Sequence, residues 1–371
     1  MTQGTKQKRR SAFLSVALLL LLPAAVLLQT LAAHGQKTVE MCYSRSVYRV
    51  ISGAITRYFS LFPFSCAELL LYAGILFAVL LLTVSVQRII KRQFAALLRL
   101  FVVVLCIFTS GYFLFTVLWG LNYNRLPLEQ NLHYKATAPT AAALNSALIK
   151  ETDAVNALCN QVRYDQKGFS HCTGGFTKLG DDIGAGYTAL AKKSALYGTL
   201  FGGVTARPKS ILASPLLSYT GIEGIYIPFT CEPNVDTDLP DFAQAFDAAH
   251  ECAHFKGFAR EDEANYIAYL ADTTNKDPYF RYSAHLEACI YLSNALYAVD
   301  QKAWQRNAAR LDGRAKKDLN GYFAYVVAHQ SPAVAISNSV NDSYLKAQGQ
   351  SGVITYDQFI ILLLDKYQAE K

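Results

Sequence analysis

The chain has 371 residues, of which 52% are hydrophobic, so it is long enough to bury a large core and to form one to three structural units. Its formal net charge of +7 is unevenly spread. Residues 1–121 hold 12 Lys and Arg against two acids, which leaves 23 of the 35 bases and 26 of the 28 acids for the rest. Because the larger part is mildly acidic, the composition argues against nucleic-acid binding.

Three apolar stretches near the N-terminus are each long enough to cross a bilayer, which takes about 20 helical residues. They cover about residues 12–33, 64–86 and 100–121. The first follows basic residues and closes on Ala32 and Ala33, as a cleaved signal peptide does. Its apolar core is long for such a peptide, so a retained span is favoured. The sequence thus predicts a membrane anchor over residues 1–124, in contact with the lipid bilayer.

The bases beside these stretches predict their orientation, because Lys and Arg accumulate on the cytoplasmic side. Four precede the first span and four lie in the short loop between the second and third: Lys6, Lys8, Arg9, Arg10, Arg88, Lys91, Arg92 and Arg99. Both groups fall on one side of the membrane. In the opposite loop, Arg45, Arg49 and Arg57 alternate with apolar residues, as in a helix lying on the membrane surface. Residues 125–371 are therefore expected outside the cytoplasm of a multi-pass protein.

The remainder of the chain reads as one α+β domain that is mostly α. Helical spacing of apolar residues covers residues 139–163, and two short strands are expected at 209–213 and 222–230. Further helices are expected at 241–256, 261–272, 279–299, 315–329 and 354–368. The sequence therefore predicts a helical domain with a small β-sheet over residues 125–371.

The cysteines leave two alternatives open. Cys159 and Cys172 flank a polar turn and form either a disulfide in an oxidising compartment or two buried thiols. The chain has no CxxC pair, so a cysteine zinc site is not expected.

Residues 250–254 read HECAH, two histidines four apart with a glutamate after the first. An apolar stripe runs along the same segment, and Gly257 suits the end of a helix. On a helix, His250 and His254 stack one turn apart, and Glu251 reaches a neighbouring water without being a ligand. Two imidazoles, a third protein ligand and a water complete a catalytic Zn²⁺ site, where the glutamate acts as general base. A zinc ion held by His250 and His254, with Glu251 as catalytic base, is expected.

The third ligand is expected just beyond this helix, where residues 261–265 read EDEAN. Glu261 is favoured over Glu263, and Asn265, four residues from Glu261, would then hydrogen-bond a ligand histidine. Arg260 stands where the HExxHxxGxxH enzymes carry a third histidine, which excludes that subclass. The alternative is that the acidic run is only a solvent-exposed first turn, where the helix dipole favours negatively charged residues.

The stretch HECAHFKGFAREDEANYIAYLA resembles the signature of a bacterial membrane-anchored family, domain of unknown function 3810, which is grouped with zincin-type metallopeptidases. LWGLNYNR, PKSILAS, GIEGIYIPFTCEPN, YFRYSAHLEA and VNDSYLKAQGQ resemble it too, so the resemblance covers about residues 100–371. It implies a zincin-like metallopeptidase domain after three spans. The run from Glu261 to Asn265 is similar to the third-ligand motif of glutamate-type zincins, although only six residues separate His254 from Glu261.

Other candidates are secondary. Arg281, Tyr282 and His285 lie on the helix after the metal motif. Tyr282 or His285 would stabilise an oxyanion, and Tyr282 and Arg281 are named as catalytic candidates. Core packing is the commoner role for such residues. The resulting prediction is a membrane-anchored zinc metallopeptidase that hydrolyses a peptide or protein substrate outside the cytoplasm. The alternative is a catalytically silent zincin-like protein with a binding or regulatory role; a transport component is disfavoured because the spans lack intramembrane charge pairs.

Overall fold

The computed structural model describes residues 13–352 and 358–370. The bases at positions 6–10 and the start of the predicted helix at 354–368 lie outside these ranges. The described chain is mostly helical with one three-stranded sheet. It divides into two compact units. The first comprises the described residues up to Tyr48 together with Cys66–Arg125, and the second comprises Arg49–Ser65 and the chain from Leu126 onward.

Three helices near the N-terminus are long and apolar enough to cross a membrane: α1 (Phe13–His34), α4 (Cys66–Ile90) and α5 (Phe94–Leu118). Between α1 and α4 the chain forms α2 (Gln36–Thr38), a π-helix (Val39–Val47) and α3 (Tyr48–Phe59), and a 3-10 turn (Gly120–Asn124) follows α5. Within the first unit, the buried guanidinium of Arg125 donates to Glu40 at 2.7 and 2.8 Å. This ion pair links the segment that follows α5 to the π-helix. Burial acts to raise the pKa of Glu40, but the pairing outweighs it and holds the pKa below its ordinary value.

The second unit carries the remaining helices in this order: α6 (Leu128–Asn131), α7 (Ala141–Leu158), α8 (Gly175–Ala191), α9 (Ala195–Phe201), α10 (Ser214–Leu217), α11 (Asp241–Phe255), α12 (Glu261–Thr273), α13 (Pro278–Val299), α14 (Gln301–Arg310), α15 (Gly313–Ala328), α16 (Pro332–Ala347) and α17 (Phe359–Ala369). Their apolar faces meet in one core. Helices α11, α12 and α13 pack against one another at its centre.

The sheet lies beside α11 and has the order β1-β3-β2. Strand β1 (Lys209–Ser210) runs parallel to β3 (Glu232–Val235), and β2 (Gly224–Ile227) runs antiparallel to it. The two strands expected from the sequence are present but shorter, and they do not pair with each other. The sequence analysis assigned no strand to EPNV, where a proline and an asparagine disfavour one, yet this buried segment is the central strand.

The segment Arg49–Ser65 packs with the second unit. The reason is a set of polar contacts that hydropathy does not reveal. The hydroxyl of Ser65 donates to Asn234 Oδ1 at 2.6 Å, Arg49 donates to the carbonyl of Leu200 at 2.5 Å, and Lys209 donates to the carbonyl of Phe62.

Helix α8 was not anticipated because its sequence contains several glycines, which weaken helices. One of them is required by packing. A Cβ atom at Gly186 would lie 2.5 Å from the backbone oxygen of Ala271, so α8 and α12 approach too closely for any side chain there. The two cysteines before this helix, Cys159 and Cys172, are buried free thiols rather than a disulfide.

Candidate metal centre

Helix α11 presents its apolar stripe to the core. Phe242, Ala245, Phe246 and Ala249 recur at spacings of three and four and are all buried. The helix thereby fixes His250 and His254 one turn apart. Their rings lie with centroids 4.6 Å apart and nearly perpendicular, at 88°.

The end of α11 also positions one of these histidines. Gly257 has a φ of 87°, the left-handed conformation that ends helices, and its amide donates to the carbonyl of His254 at 2.7 Å. The turn brings the carbonyl of Phe258 back over the last helical turn, where it lies 2.7 Å from His254 Nδ1. Helix termination and ring orientation therefore depend on the same glycine.

The first residue of α12 completes the cluster. Glu261 Oε2 lies 3.1 Å from His250 Nε2 and 3.4 Å from His254 Nε2. One ligand atom from each residue lies within 4.8 Å of the others, and no other group in the described ranges of the chain meets that criterion. Ligand atoms about 2.0–2.1 Å from a tetrahedral ion are about 3.3 Å apart, so the spacing fits a small divalent metal.

Hydrogen bonds orient both imidazoles toward this point. His250 Nδ1 lies 2.7 Å from Asn265 Oδ1, and the Asn265 amide nitrogen donates to the hydroxyl of Tyr291 at 3.3 Å. Since the amide nitrogen is engaged there, Oδ1 accepts a hydrogen bond from the Nδ1–H group of His250. His254 Nδ1 likewise donates to Phe258 O. Both Nε2 atoms therefore turn toward Glu261, the arrangement in which histidine ligates through Nε2. Asn265 contacts a histidine as the sequence analysis expected.

The electrostatics of the cluster match a site built for a cation. Burial acts to raise the pKa of Glu261, but the two imidazoles outweigh it and hold the pKa well below the ordinary value. Burial acts to lower the pKa of His254, but Glu261 outweighs it and raises the pKa to about 9. His254 therefore holds a proton tightly beside the Glu261 carboxylate, and a metal ion at this position would compete with that proton.

Glu251 lies beside the cluster without a hydrogen bond. Its side chain is only 4% exposed, and its Oε2 atom is buried with no partner among the described residues. Burial, opposed by the two histidines, raises its pKa to about 7. The backbone of β2 confines the carboxyl, because a Cβ atom at Gly224 would lie 2.6 Å from Glu251 Oε1. A buried carboxyl with this pKa and an open acceptor site suits proton transfer near neutral pH.

Glu263, the less favoured ligand candidate, is bound elsewhere. Its Oε1 atom accepts from the amide of Leu128 at 2.8 Å and from Arg260 at 2.9 Å. These contacts anchor the start of α6 and the turn before α12. Arg260 is thus part of a structural ion pair.

The secondary candidates on α13 have partners away from the cluster. The buried hydroxyl of Tyr282 donates to Asp318 Oδ2 at 2.6 Å. His285 Nδ1 lies 2.5 Å from Glu151 Oε2. Arg281 is partly buried, and its Nε atom has no partner within the described residues. The structure therefore unites His250, His254, Glu261 and Glu251, whereas Tyr282 and Arg281 are not joined to them by a hydrogen bond.

Four further carboxyls lie near this site: Glu223, Asp236, Asp247 and Glu287. The sequence did not single out Glu223, Asp236 or Asp247 as site residues. Asp247 stands one turn before Glu251 on α11, a spacing visible in the sequence. The other three come from distant segments, and only the folded chain brings them together.

A family model described as "Protein of unknown function (DUF3810)" matches residues 43–364. A search of curated proteins finds no match, and neither does a search of solved structures.

Proposed function

The chain belongs to the DUF3810 family of unknown function, and we propose that it is a membrane-anchored, zinc-dependent peptidase. The observation that carries the proposal is the buried, unpartnered carboxyl of Glu251 beside a cluster of two imidazoles and one carboxylate. A structural metal site has no use for such a base, whereas hydrolysis of an amide requires one.

The proposed ligands are His250, His254 and Glu261. When bound, a zinc ion supplies Lewis-acid chemistry, polarising a carbonyl and acidifying a water near neutral pH. Glu251 accepts a proton from the attacking water and later donates one to the leaving amine. Asn265 and Phe258 hold the imidazoles in the ligating orientation throughout.

The substrate is proposed to bind along β2. This strand is at the edge of the sheet, and its end at Gly224 touches the Glu251 carboxyl. An extended peptide that pairs with a sheet edge is held by backbone hydrogen bonds, which place its amide groups in register. A peptide on this edge runs past Glu251, so the proposed reaction is cleavage within a peptide chain.

The three apolar helices are proposed as transmembrane spans, with the second unit outside the cytoplasm. Support comes from their length and hydropathy and from the bases in the loop between α4 and α5. A test is labelling of intact cells with a membrane-impermeant maleimide after Asp153→Cys in a Cys42→Ser background, since Cys42 is the exposed native cysteine. Labelling of the new cysteine supports the orientation, and labelling only after cell lysis contradicts it.

Hydrolysis is tested on the full-length, zinc-loaded protein in detergent with a peptide library read by mass spectrometry. We expect cleavage by wild type, a loss of about 10²- to 10⁴-fold in Glu251→Gln, and no loss in Asp153→Asn. Asp153 is a matched control because its carboxylate pairs with Arg310 on the surface. Zinc-loaded wild type that cleaves nothing, or Glu251→Gln that cleaves as well as wild type, contradicts the proposal. The first of these results favours the silent metal-binding alternative.

A further inference from the structure

Four carboxyls, called here the acidic wall, lie close enough to act on one another electrostatically: Glu223, Asp236, Asp247 and Glu287. Glu251 acts together with the other three on Asp247. Glu223 and Asp236 face each other across the end of the β2–β3 ladder, where the amide of Asp236 donates to the carbonyl of Glu223 at 2.8 Å. Glu223 directly precedes Gly224, which touches the Glu251 carboxyl. The wall therefore begins next to the proposed general base.

Helix α13 brings the fourth carboxyl to the same place. Ser283, Glu287 and Tyr291 are four residues apart and share one face of α13. Ser283 donates to the carbonyl of Phe242 at 2.5 Å, and Tyr291 contacts Asn265, the partner of His250. Glu287 lies between these two contacts and so faces the part of α11 that carries Asp247.

The charged groups that act on Asp247 are carboxyls, namely Glu223, Glu287, Glu251 and Asp236, whereas the His250 imidazole acts on Glu223. Burial, reinforced by this repulsion, raises the pKa of Asp247 well above its ordinary value, and burial and Glu223 do the same for Glu287. Such a group of buried like charges is unfavourable unless protons or an external cation neutralise it.

Two of the carboxyls are also left without hydrogen-bond partners. Glu287 is only 8% exposed and forms no hydrogen bond or ion pair with the described residues, and Asp247 Oδ2 is buried without a partner. By contrast, Glu223 accepts from Tyr322 at 2.7 Å and Asp236 accepts from Ser218 at 2.8 Å. Hydrogen bonds therefore fix two of the wall carboxyls, and the other two keep unused acceptor atoms that a ligand could satisfy.

The spacing favours an organic cation over a bare metal ion. Among the described residues, only His250, His254 and Glu261 bring three ligand atoms within 4.8 Å of one another, so no three carboxyls of the wall gather around a single metal ion. An ammonium or guanidinium group carries several N–H donors that reach outward in different directions, and it can satisfy separated carboxylates at once.

We infer that the acidic wall is a specificity subsite that binds a positively charged amine or guanidinium of the substrate next to the scissile bond. The inference deepens the proposed peptidase function and rests on it, because a bond is cleaved beside the subsite only if the protein is a peptidase. The substrate class is then peptides with a lysine, an arginine or a free amino terminus beside the cleaved amide.

The test measures binding rather than turnover, so it does not depend on catalysis. The full-length Glu251→Gln protein, loaded with zinc in detergent, is titrated with the peptide Ala-Ala-Lys-Ala-Ala and with a twin whose two amines are acetylated. We expect the amine form to bind about tenfold or more tightly, as a charge-assisted hydrogen bond in a buried site implies. Asp247→Asn and Glu287→Gln, each added to this protein, should abolish most of that preference, and Asp153→Asn should retain it.

Thermal unfolding separates loss of the subsite from misfolding. Both wall variants are nearly isosteric and remove like-charge repulsion, so each should keep or raise the Tm of the peptide-free protein. Equal binding of the twin peptides, binding of neither, or a preference that survives both wall variants overturns the inference. A preserved amine preference in a zinc-loaded wild type that cleaves no peptide removes the peptidase proposal and leaves the cation subsite standing.

Discussion

The contact between Gly224 and Glu251 gives a sharp test of the proposed general base. A Cβ atom at position 224 would lie 2.6 Å from Glu251 Oε1, 2.9 Å from its Cγ and 3.0 Å from its Cδ. Comfortable contacts between such atoms are about 3.5–4.0 Å, so Gly224→Ala must displace the carboxyl by about 1 Å. The added methyl group changes no ligand of the metal cluster.

A displacement of this size has a calculable cost. Misplacing a catalytic group by about 1 Å lowers the rate on the order of 100-fold, equivalent to about 2.7 kcal/mol in the activation free energy. We expect Gly224→Ala to lose most of its kcat on a cleavable peptide while its zinc content stays at the wild-type level. Gly313→Ala is the matched control, because a Cβ atom there meets nothing within 4 Å.

The assay is steady-state hydrolysis by the full-length protein in detergent, with metal content measured on the same samples. In a Glu251→Gln background the added alanine should have little further effect, since neighbouring changes that act through one group are not additive. Unchanged kcat in Gly224→Ala, or a full additional loss in the double variant, refutes the view that the glycine acts by placing the Glu251 carboxyl.

Three further predictions concern the cluster itself. Asn265→Ala should weaken zinc binding about 10- to 100-fold, because His250 loses the acceptor that orients its ring; competition with a chromophoric chelator measures this, and unchanged affinity contradicts it. Metal-free protein should lose Tm as pH rises from about 6.5 to 9, because Glu261 raises the pKa of folded His254 to about 9 and the native state holds the extra proton below that value; a Tm that rises over this window contradicts it. Gly257→Ala should cost about 1–2 kcal/mol of unfolding free energy, since alanine resists a φ of 87°, and denaturant unfolding that matches wild type contradicts that reading.

The candidate metal-binding segment could be predicted from the sequence because its information is local. Helical periodicity places His250 and His254 on one face, and Gly257 signals where the helix stops. The observed helix ends at Phe255, one residue before the expected end. The spacing of Glu261 and Asn265 likewise predicts a shared face, and both side chains contact the histidines.

The acidic wall was not readable because its members are joined only by tertiary contacts. Glu223 and Asp236 meet through pairing with a strand that the sequence does not favour, and Glu287 arrives on a separate helix. The assignment of Tyr282 as a catalytic candidate rested on its proximity along the chain. Its hydroxyl instead donates to Asp318, nearly forty residues away, which periodicity cannot foresee.

The segment Arg49–Ser65 shows the same limit for polar contacts. Its polar side chains bond within the second unit, as Ser65 does to Asn234. Hydropathy identifies which segments avoid water but carries no information about the partners of the polar residues between them.

The most direct test of the central claim is the metal content of the full-length protein purified in detergent, measured by elemental analysis for wild type, Glu251→Gln, His254→Ala and His133→Asn. His133 is a suitable control because it is exposed and has a φ of 56°, which asparagine tolerates well. The account predicts about one zinc per chain in wild type, Glu251→Gln and His133→Asn, and loss of zinc in His254→Ala. Zinc absent from wild type, or retained equally by His254→Ala, contradicts a metal centre built on His250, His254 and Glu261.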